Sequence, residues 1–275
     1  MSQAIYVRRG EQVSLLEYPN FDDIVVDDIR WGRVEEPLTP AFWAHQCALH
    51  LDSMKPTRFR VGTTLAEEFA VCMLAGYGVP AEIGMAAAEQ LKQNGLLELD
   101  RDVPCAEIEA ILRAPLEVNG RTVRYRFFRT KARYIAEGLR ALRSEQPPED
   151  APLKFRAWFR TLPGVGPKTA SFITRNWLGS DDVAILDIHV VRACQILRLF
   201  PAEVDLARDY ARLEERFLKF ANTIRVPASW LDAVMWDDMR SLDDDIVLSA
   251  LHAARADVVD GRTFKATAML PIRVA

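Results

Sequence analysis

Cysteine is scarce in this 275-residue chain, and its four thiols, Cys47, Cys72, Cys105 and Cys194, form no CxxC pair. That spacing argues against a disulfide framework and a cysteine-built zinc site, and it is wrong for a cysteine-ligated iron–sulfur cluster. Reduced thiols in an intracellular, cytoplasmic protein are the expectation. Long hydrophobic runs are missing too. The most apolar long stretch, residues 69–88, holds Glu82, Pro80 and three glycines. It fits a buried helix followed by a turn better than a bilayer span. Arg8, Arg9 and Glu11 interrupt any apolar start, so no signal peptide is expected. A positive balance is also lacking: the formal net charge is −4. The chain is therefore no basic nucleic-acid coat, and any polyanion must be met by charge gathered on one face.

What is present suits a globular protein with one large domain or two small ones: 49% apolar and 27% charged residues, with no internal repeat. Residues 1–60 mix signals. β-branched runs at 5–7 and 24–26 predict short strands. Thr39-Pro40 predicts a helix start, with Phe42, Trp43, Cys47 and Leu49 following. From residue 63 helices dominate. Thr64 can cap a helix over Leu65–Leu74, with Glu67 as its capping-box partner. Pro80 opens a second over Ala81–Gln93, which Asn94-Gly95 ends. Further helices are predicted at 106–113, 130–142, 155–161, 168–178, 188–199, 205–221, 229–239 and 246–256. Residues 145–150 read as a loop, and the tail from Gly261 is left unassigned. The class is mainly α with minor β at the N-terminus.

The run Leu162-Pro163-Gly164-Val165-Gly166-Pro167-Lys168 reads as a hairpin between two helices. Gly164 and Gly166 permit backbone angles a side chain would forbid, and the prolines restrict their neighbours. The next helix presents free N–H groups and its positive dipole end, an anion site that a DNA phosphate fits. Gly164, Val165 and Gly166 are thus candidate phosphate contacts, which position a backbone without reading sequence. A plain tight turn is the alternative. Lys168 projects from the first turn of that helix, where a second positive charge is disfavoured. That biases its amine toward the neutral nucleophile of Schiff-base chemistry. A phosphate-binding lysine is the alternative.

Asp187 follows the apolar run 183–186 and precedes Ile188-His189-Val190, the pattern of a helix N-cap. A carboxylate held there can stabilise positive charge on a sugar as its base departs, and can steer protons. His189 could donate to the flanking phosphate, or be merely structural. Residues 121–134 form the one strongly basic tract, with aromatics between the arginines, a mix that suits phosphate contacts and base stacking. Lys131 is its candidate phosphate contact, whereas Phe127, Phe128 and Tyr134 read as core. Asp232 and Trp236 are four apart and share a helix face. Such a pair can hydrogen-bond and stack a flipped purine, although core packing with a surface charge gives the same pattern.

Together these residues resemble the helix-hairpin-helix–GPD superfamily of DNA glycosylases over roughly residues 65–240. Lys168-Thr169-Ala170-Ser171-Phe172 through Arg175-Asn176, and then Ala184-Ile185-Leu186-Asp187-Ile188-His189, look most like the prokaryotic 8-oxoguanine glycosylase/AP lyase branch. Arg124-Tyr125-Arg126-Phe127, Lys131-Ala132-Arg133-Tyr134-Ile135 and Leu231-Asp232 with Trp236 resemble it too. The resemblance implies two helical subdomains with the helix-hairpin-helix at the DNA-binding cleft. Residues 1–60 would pack on the second subdomain, 61–179 would form a barrel with the hairpin motif at 155–178, and 180–275 would carry the catalytic aspartate and a C-terminal extension. Lys168 would be the Schiff-base nucleophile that attacks C1′, Asp187 the catalytic carboxylate, and β-elimination would nick the strand. The flipped base would enter a pocket between the subdomains lined by Phe172, Asp232 and Trp236. No cofactor and no iron–sulfur cluster is implied, although hairpin carbonyls can hold a monovalent cation. The substrate would be double-stranded DNA with an oxidised purine, met by a monomer away from membranes.

The chain departs from the family at two places, and the region before about residue 60 is not accounted for by the resemblance. A polar Gln or Asn run is replaced by Leu74-Ala75-Gly76-Tyr77-Gly78-Val79, where either Tyr77 is the candidate aromatic wedge or opposite-base reading is lost. Arg240 and an extension follow Trp236, where prokaryotic members often end with a lysine. Two other readings remain: a glycosylase for another damaged base, and a non-catalytic hairpin module. The second explains Gly164 and Gly166 but not Lys168 with Asp187.

Overall fold

The computed structural model describes residues 2–9, 11–50, 59–76 and 78–260. The chain divides into two compact units, one made of Met54–Ile185 and the other of Met1–Ser53 with Leu186–Ala275. The first segment carries β1 (Gln3–Arg9), β2 (Gln12–Tyr18), β3 (Ile24–Val26), β4 (Ile29–Arg30) and α1 (Pro40–Leu49). The middle segment carries α2 (Leu65–Leu74), α3 (Ala81–Gln93), α4 (Cys105–Arg113), β5 (Pro115–Val118), β6 (Arg121–Arg124), α5 (Phe128–Ser144), α6 (Pro152–Phe159) and α7 (Pro167–Leu178). The last carries α8 (Ile188–Ile196), α9 (Leu206–Thr223), α10 (Ala228–Ser241) and α11 (Asp244–Asp260). Among the described residues no helix is long and apolar enough to cross a membrane.

In the discontinuous unit, β1 and β2 pair antiparallel from Gln3↔Tyr18 to Arg9↔Gln12. Side chains alternate across that ribbon as strand geometry requires: Val7 and Tyr18 are buried, while Tyr6 and Leu15 are exposed. Thr39 caps α1 by accepting the Phe42 N–H at 3.2 Å. Trp43 and Cys47, one turn apart on α1, are both buried. The Trp230 indole on α10 donates to the Cys47 carbonyl at 3.0 Å and so ties α10 to α1. α9 buries Tyr210, Leu213, Phe217 and Phe220, a stripe with helical spacing.

In the continuous unit α2 is the central helix, packed against α3, α5 and α7. Phe69, Ala70, Met73 and Leu74 on it are fully buried. Gly138 lets α5 come close: a Cβ there would lie 2.2 Å from the Phe69 ring. The Tyr125 hydroxyl, just after β6, donates to the Leu74 carbonyl at 2.9 Å and holds the last turn of α2.

Two local expectations change. The sequence reading placed β structure only at the N-terminus, but β5 and β6 form a third hairpin, paired from Pro115↔Arg124 to Val118↔Arg121. Asn119 and Gly120 both take positive φ, 49° and 72°, which is the two-residue turn that an Asn-Gly pair favours. Thr64 does cap α2, accepting the Glu67 N–H at 3.2 Å. Glu67 does not return the bond to Thr64. Its carboxylate takes the Thr63 N–H and hydroxyl, each at 2.8 Å, and Lys92 at 3.0 Å.

Candidate functional site

The sequence-predicted site residues fall into two groups, one in each unit. In the continuous unit α6 and α7 enclose the turn around Pro163–Gly166. Gly164 takes φ 74°, and a Cβ on it would lie 2.2 Å from the Tyr134 ring of α5. Conformation and packing therefore both demand glycine there. Gly166 corrects the expectation that both glycines serve the turn. Its φ is −83°, and a Cβ would meet nothing within 4 Å. No side chain among the described residues needs that space, which leaves the hairpin backbone open to close approach. The Val165 side chain is buried and its N–H donates to the Leu162 carbonyl at 3.2 Å. Among the described residues the N–H groups of Gly164 and Gly166 have no partner.

Lys168 is the second residue of α7 and is half-buried. Its Nζ lies over the turn that follows α2, 3.7 Å from where a Gly76 Cβ would be. Within its own unit, among the described residues, this amine has no hydrogen-bond or ion-pair partner. Phe172, one turn further along α7, is partly buried against the core of the unit. Lys131 lies in the first turn of α5, half-buried, and burial lowers its pKa from the ordinary lysine value. The aromatics Phe127, Phe128 and Tyr134 pack against the core, as the sequence reading had them. The candidate wedge Tyr77 lies outside the described residues.

In the discontinuous unit Asp187 caps α8 with an extended backbone. Its Oδ1 accepts the His189 and Val190 N–H groups, each at 2.9 Å. Oδ2 has no partner within the unit among the described residues. The residue is only 9% exposed, and its anchored Oδ1 holds the carboxylate in a fixed frame. The preceding Leu186 N–H donates to the Tyr210 hydroxyl oxygen at 3.3 Å, which fixes the approach to the cap. His189 is half-buried beside it, and Ile188, the first residue of α8, is 54% exposed.

Asp232 and Trp236 stand one turn apart on α10, but their surroundings differ. Asp232 is 1% exposed. Burial, then Asp238, then Asp232 push the Cys47 thiol pKa upward, which places both carboxylates within electrostatic reach of α1. Trp236 is half-exposed under the Arg240 guanidinium, 4.4 Å from its ring centroid. The "surface charge" alternative for Asp232 is therefore corrected, since its helix face is packed. Among the described residues no group of three or more metal-ligating side chains comes together.

Two features escaped the sequence reading. Gly76 is one, because nothing local marks it as the floor beneath an amine. The other is Glu68, fully buried on α2. A second glutamate inside the apolar stripe of Leu65–Leu74 was the available signal for it.

Residues 57–226, more than half of the chain, match the 8-oxoguanine DNA glycosylase family. No protein of curated function matches. Among solved structures, the 8-oxoguanine DNA glycosylase of Methanocaldococcus jannaschii is similar at 23% identity and TM-score 0.50, over 74% of this chain and 87% of that one. The 8-oxoguanine DNA glycosylase of Thermotoga maritima aligns at 24% identity and TM-score 0.49, over 71% and 86%. An endonuclease III trapped in a covalent intermediate with DNA aligns at 19% identity and TM-score 0.52, over 70% and 80%.

Proposed function

The chain belongs to the 8-oxoguanine DNA glycosylase family, and from that premise we propose that Lys168 is its nucleophile and Asp187 its catalytic carboxylate. It is a base-excision repair enzyme, a DNA glycosylase acting on duplex DNA. In the proposed course Lys168 Nζ bonds to C1′ of the damaged nucleotide. The bond from C1′ to the base breaks, its electron pair leaves with the base, and the base takes up a proton. The free Oδ2 of Asp187 faces the positive charge that builds on the sugar, where a fixed carboxylate in a dry frame is most effective. Ring opening gives the Schiff base. Loss of a C2′ proton then expels the 3′ phosphate and nicks the strand.

The observation that carries this reading is the amine of Lys168, set on the first turn of the hairpin helix and left without a partner in its unit. A phosphate contact is the other use of such an amine, but it leaves the Asp187 carboxylate without a role beyond its helix cap. Gly164, Val165 and Gly166, with Lys131 and His189, are proposed as phosphate contacts. Phe172 and Trp236 offer rings for stacking the extruded base, and Asp232 contributes from a buried position on α10. Tyr77 is proposed as the wedge. The carbonyls of Pro163, Gly164 and Val165 accept no hydrogen bond among the described residues. That donor set suits a monovalent cation, which would tie the turn to a phosphate; the reaction draws on no other cofactor. The enzyme is proposed to act as a cytoplasmic monomer, with residues 1–60, 61–179 and 180–275 as its working parts.

The test is single-turnover cleavage of a panel of duplexes, each with one lesion, with base release and strand nicking read separately. The reading expects 8-oxoguanine to be released fastest and nicking to accompany release. Release of only a non-oxidised base would assign the scaffold to another lesion. Binding without release of any base would leave a non-catalytic hairpin module.

A further inference from the structure

Glu68 is a buried carboxylate that the reaction above does not use. It is fully buried, and both of its oxygens are engaged. Oε2 accepts the N–H groups of Val61 and Gly62, each at 2.8 Å. Oε1 accepts the Asn176 side-chain amide at 2.7 Å and the Cys72 thiol at 3.6 Å. The carbonyl end of the Asn176 amide then accepts Arg175 Nε at 3.2 Å and Nη2 at 3.0 Å. Asn176 and Arg175 are themselves 2% and 8% exposed. One amide thus joins a carboxylate on α2 to a guanidinium on α7, and its orientation is fixed because each end has a single chemical complement.

The guanidinium lies 4.4 Å from the Phe59 ring centroid and 5.7 Å from that of Phe172. Phe172 and Arg175 are three apart on α7 and share a face. Lys168 is seven residues before Arg175, about 10 Å along the helix axis at ~1.5 Å per residue. A disturbance of Arg175 therefore reaches the Phe172 ring first and the amine last.

We propose that Glu68, Asn176 and Arg175 are positioning residues that set the Phe172 ring for the extruded base. The inference rests on the reading of Phe172 as a base-pocket residue. A network of this kind matters because a planar cation on a ring is directional, whereas the ring alone can rotate and slide. Fully satisfied buried polar groups also hold one geometry, since every alternative leaves a group unpaired.

The chemistry allows a reversal test. Glu68→Gln sets an NH2 against the Asn176 NH2, and Asn176→Asp sets a carboxylate against Glu68. In the double variant E68Q/N176D the amide at 68 donates to the carboxylate at 176, which still accepts from Arg175. Two rates are read at a temperature where circular dichroism shows every variant folded: release of 8-oxoguanine, and nicking of a duplex with a preformed abasic site. Each single variant is expected to lower base release by between about tenfold and a hundredfold, the scale of a small misplacement at a reacting group. Nicking should stay within about threefold, because it needs Lys168 but no base pocket. The double variant should restore release. Should a single variant fail to fold, Arg175→Lys keeps the charge, loses the planar stacking and carries the same expectation.

Parallel loss of both rates, or unchanged release in the folded variants, overturns the inference. Phe172→Ala separates the two levels of the argument. If it leaves release unchanged, the base-pocket reading fails and the inference falls with it. If it lowers release while the network variants do not, only the inference fails.

Discussion

Gly164→Ala and Gly166→Ala look equivalent in the sequence and should behave oppositely. At Gly164 an alanine must hold φ 74° and place its Cβ 2.2 Å from the Tyr134 ring. The left-handed backbone costs a non-glycine residue roughly 1–2 kcal/mol. Forcing the ring aside adds about 1–3 kcal/mol of overpacking. The smaller entropy of the unfolded chain returns roughly 0.4–1 kcal/mol. The net loss should be about 1–5 kcal/mol, read by urea denaturation as a lower midpoint at unchanged slope. Adding Tyr134→Ala should remove the overpacking part and leave the backbone part, so the two changes should couple by about 1–3 kcal/mol. At Gly166 the φ of −83° is ordinary and no atom lies within 4 Å of the added methyl. Stability should move by less than about 0.5 kcal/mol, while affinity for duplex DNA falls because the methyl occupies the approach to the hairpin backbone. A loss below about 1 kcal/mol for Gly164→Ala would refute the reasoning. So would equal destabilisation by the two variants.

Other variants separate cap from charge and phosphate contact from packing. Asp187→Asn keeps an equally good helix cap, so melting should change little, while base release falls roughly a hundred- to a thousandfold in single-turnover assays. Lys131→Met removes a cation whose pKa burial already lowers, so stability should hold or rise. The slope of log affinity against log salt should shrink by about 0.9 if the lysine meets one phosphate. Asp238 has its pKa raised, by burial first, with His50 lowering it and Asp237 raising it further. A raised carboxyl pKa means that the folded protein binds the extra proton, so ionising Asp238 opposes folding above that pKa and costs nothing below the unfolded value near 3.8. Asp238→Asn should therefore stabilise at pH 7, by under about 1 kcal/mol for a half-exposed group. The gain should vanish in melts at acid pH.

Much of the helical order was legible because local signals and packing agree. Thr39, Thr64, Asp187 and Asp205 all cap helices through their own oxygens. The β5–β6 hairpin was missed although Asn119-Gly120 announced it, because the neighbouring arginines and aromatics drew that stretch into a DNA-binding reading. The two glycines of the hairpin show where a motif stops informing. Gly164 answers to Tyr134, thirty positions away along the chain, and Gly166 answers to nothing among the described residues. Glu68 carried a signal as a glutamate in an apolar stripe, but its link to Asn176 forms only once α2 and α7 are packed. The places of Lys168 and Asp187 at the starts of α7 and α8 were readable because sequence marks helix starts without need of long-range contacts.

The central claim is that Lys168 becomes covalently bound to the sugar of a damaged nucleotide. Borohydride reduction during turnover of an 8-oxoguanine duplex, followed by digestion and mass spectrometry of the protein–DNA adduct, tests it most directly. The account predicts one adduct, on the peptide that contains Lys168, and none with Lys168→Gln although that variant still binds the duplex. An adduct on any other residue, or undiminished trapping by Lys168→Gln, would contradict it.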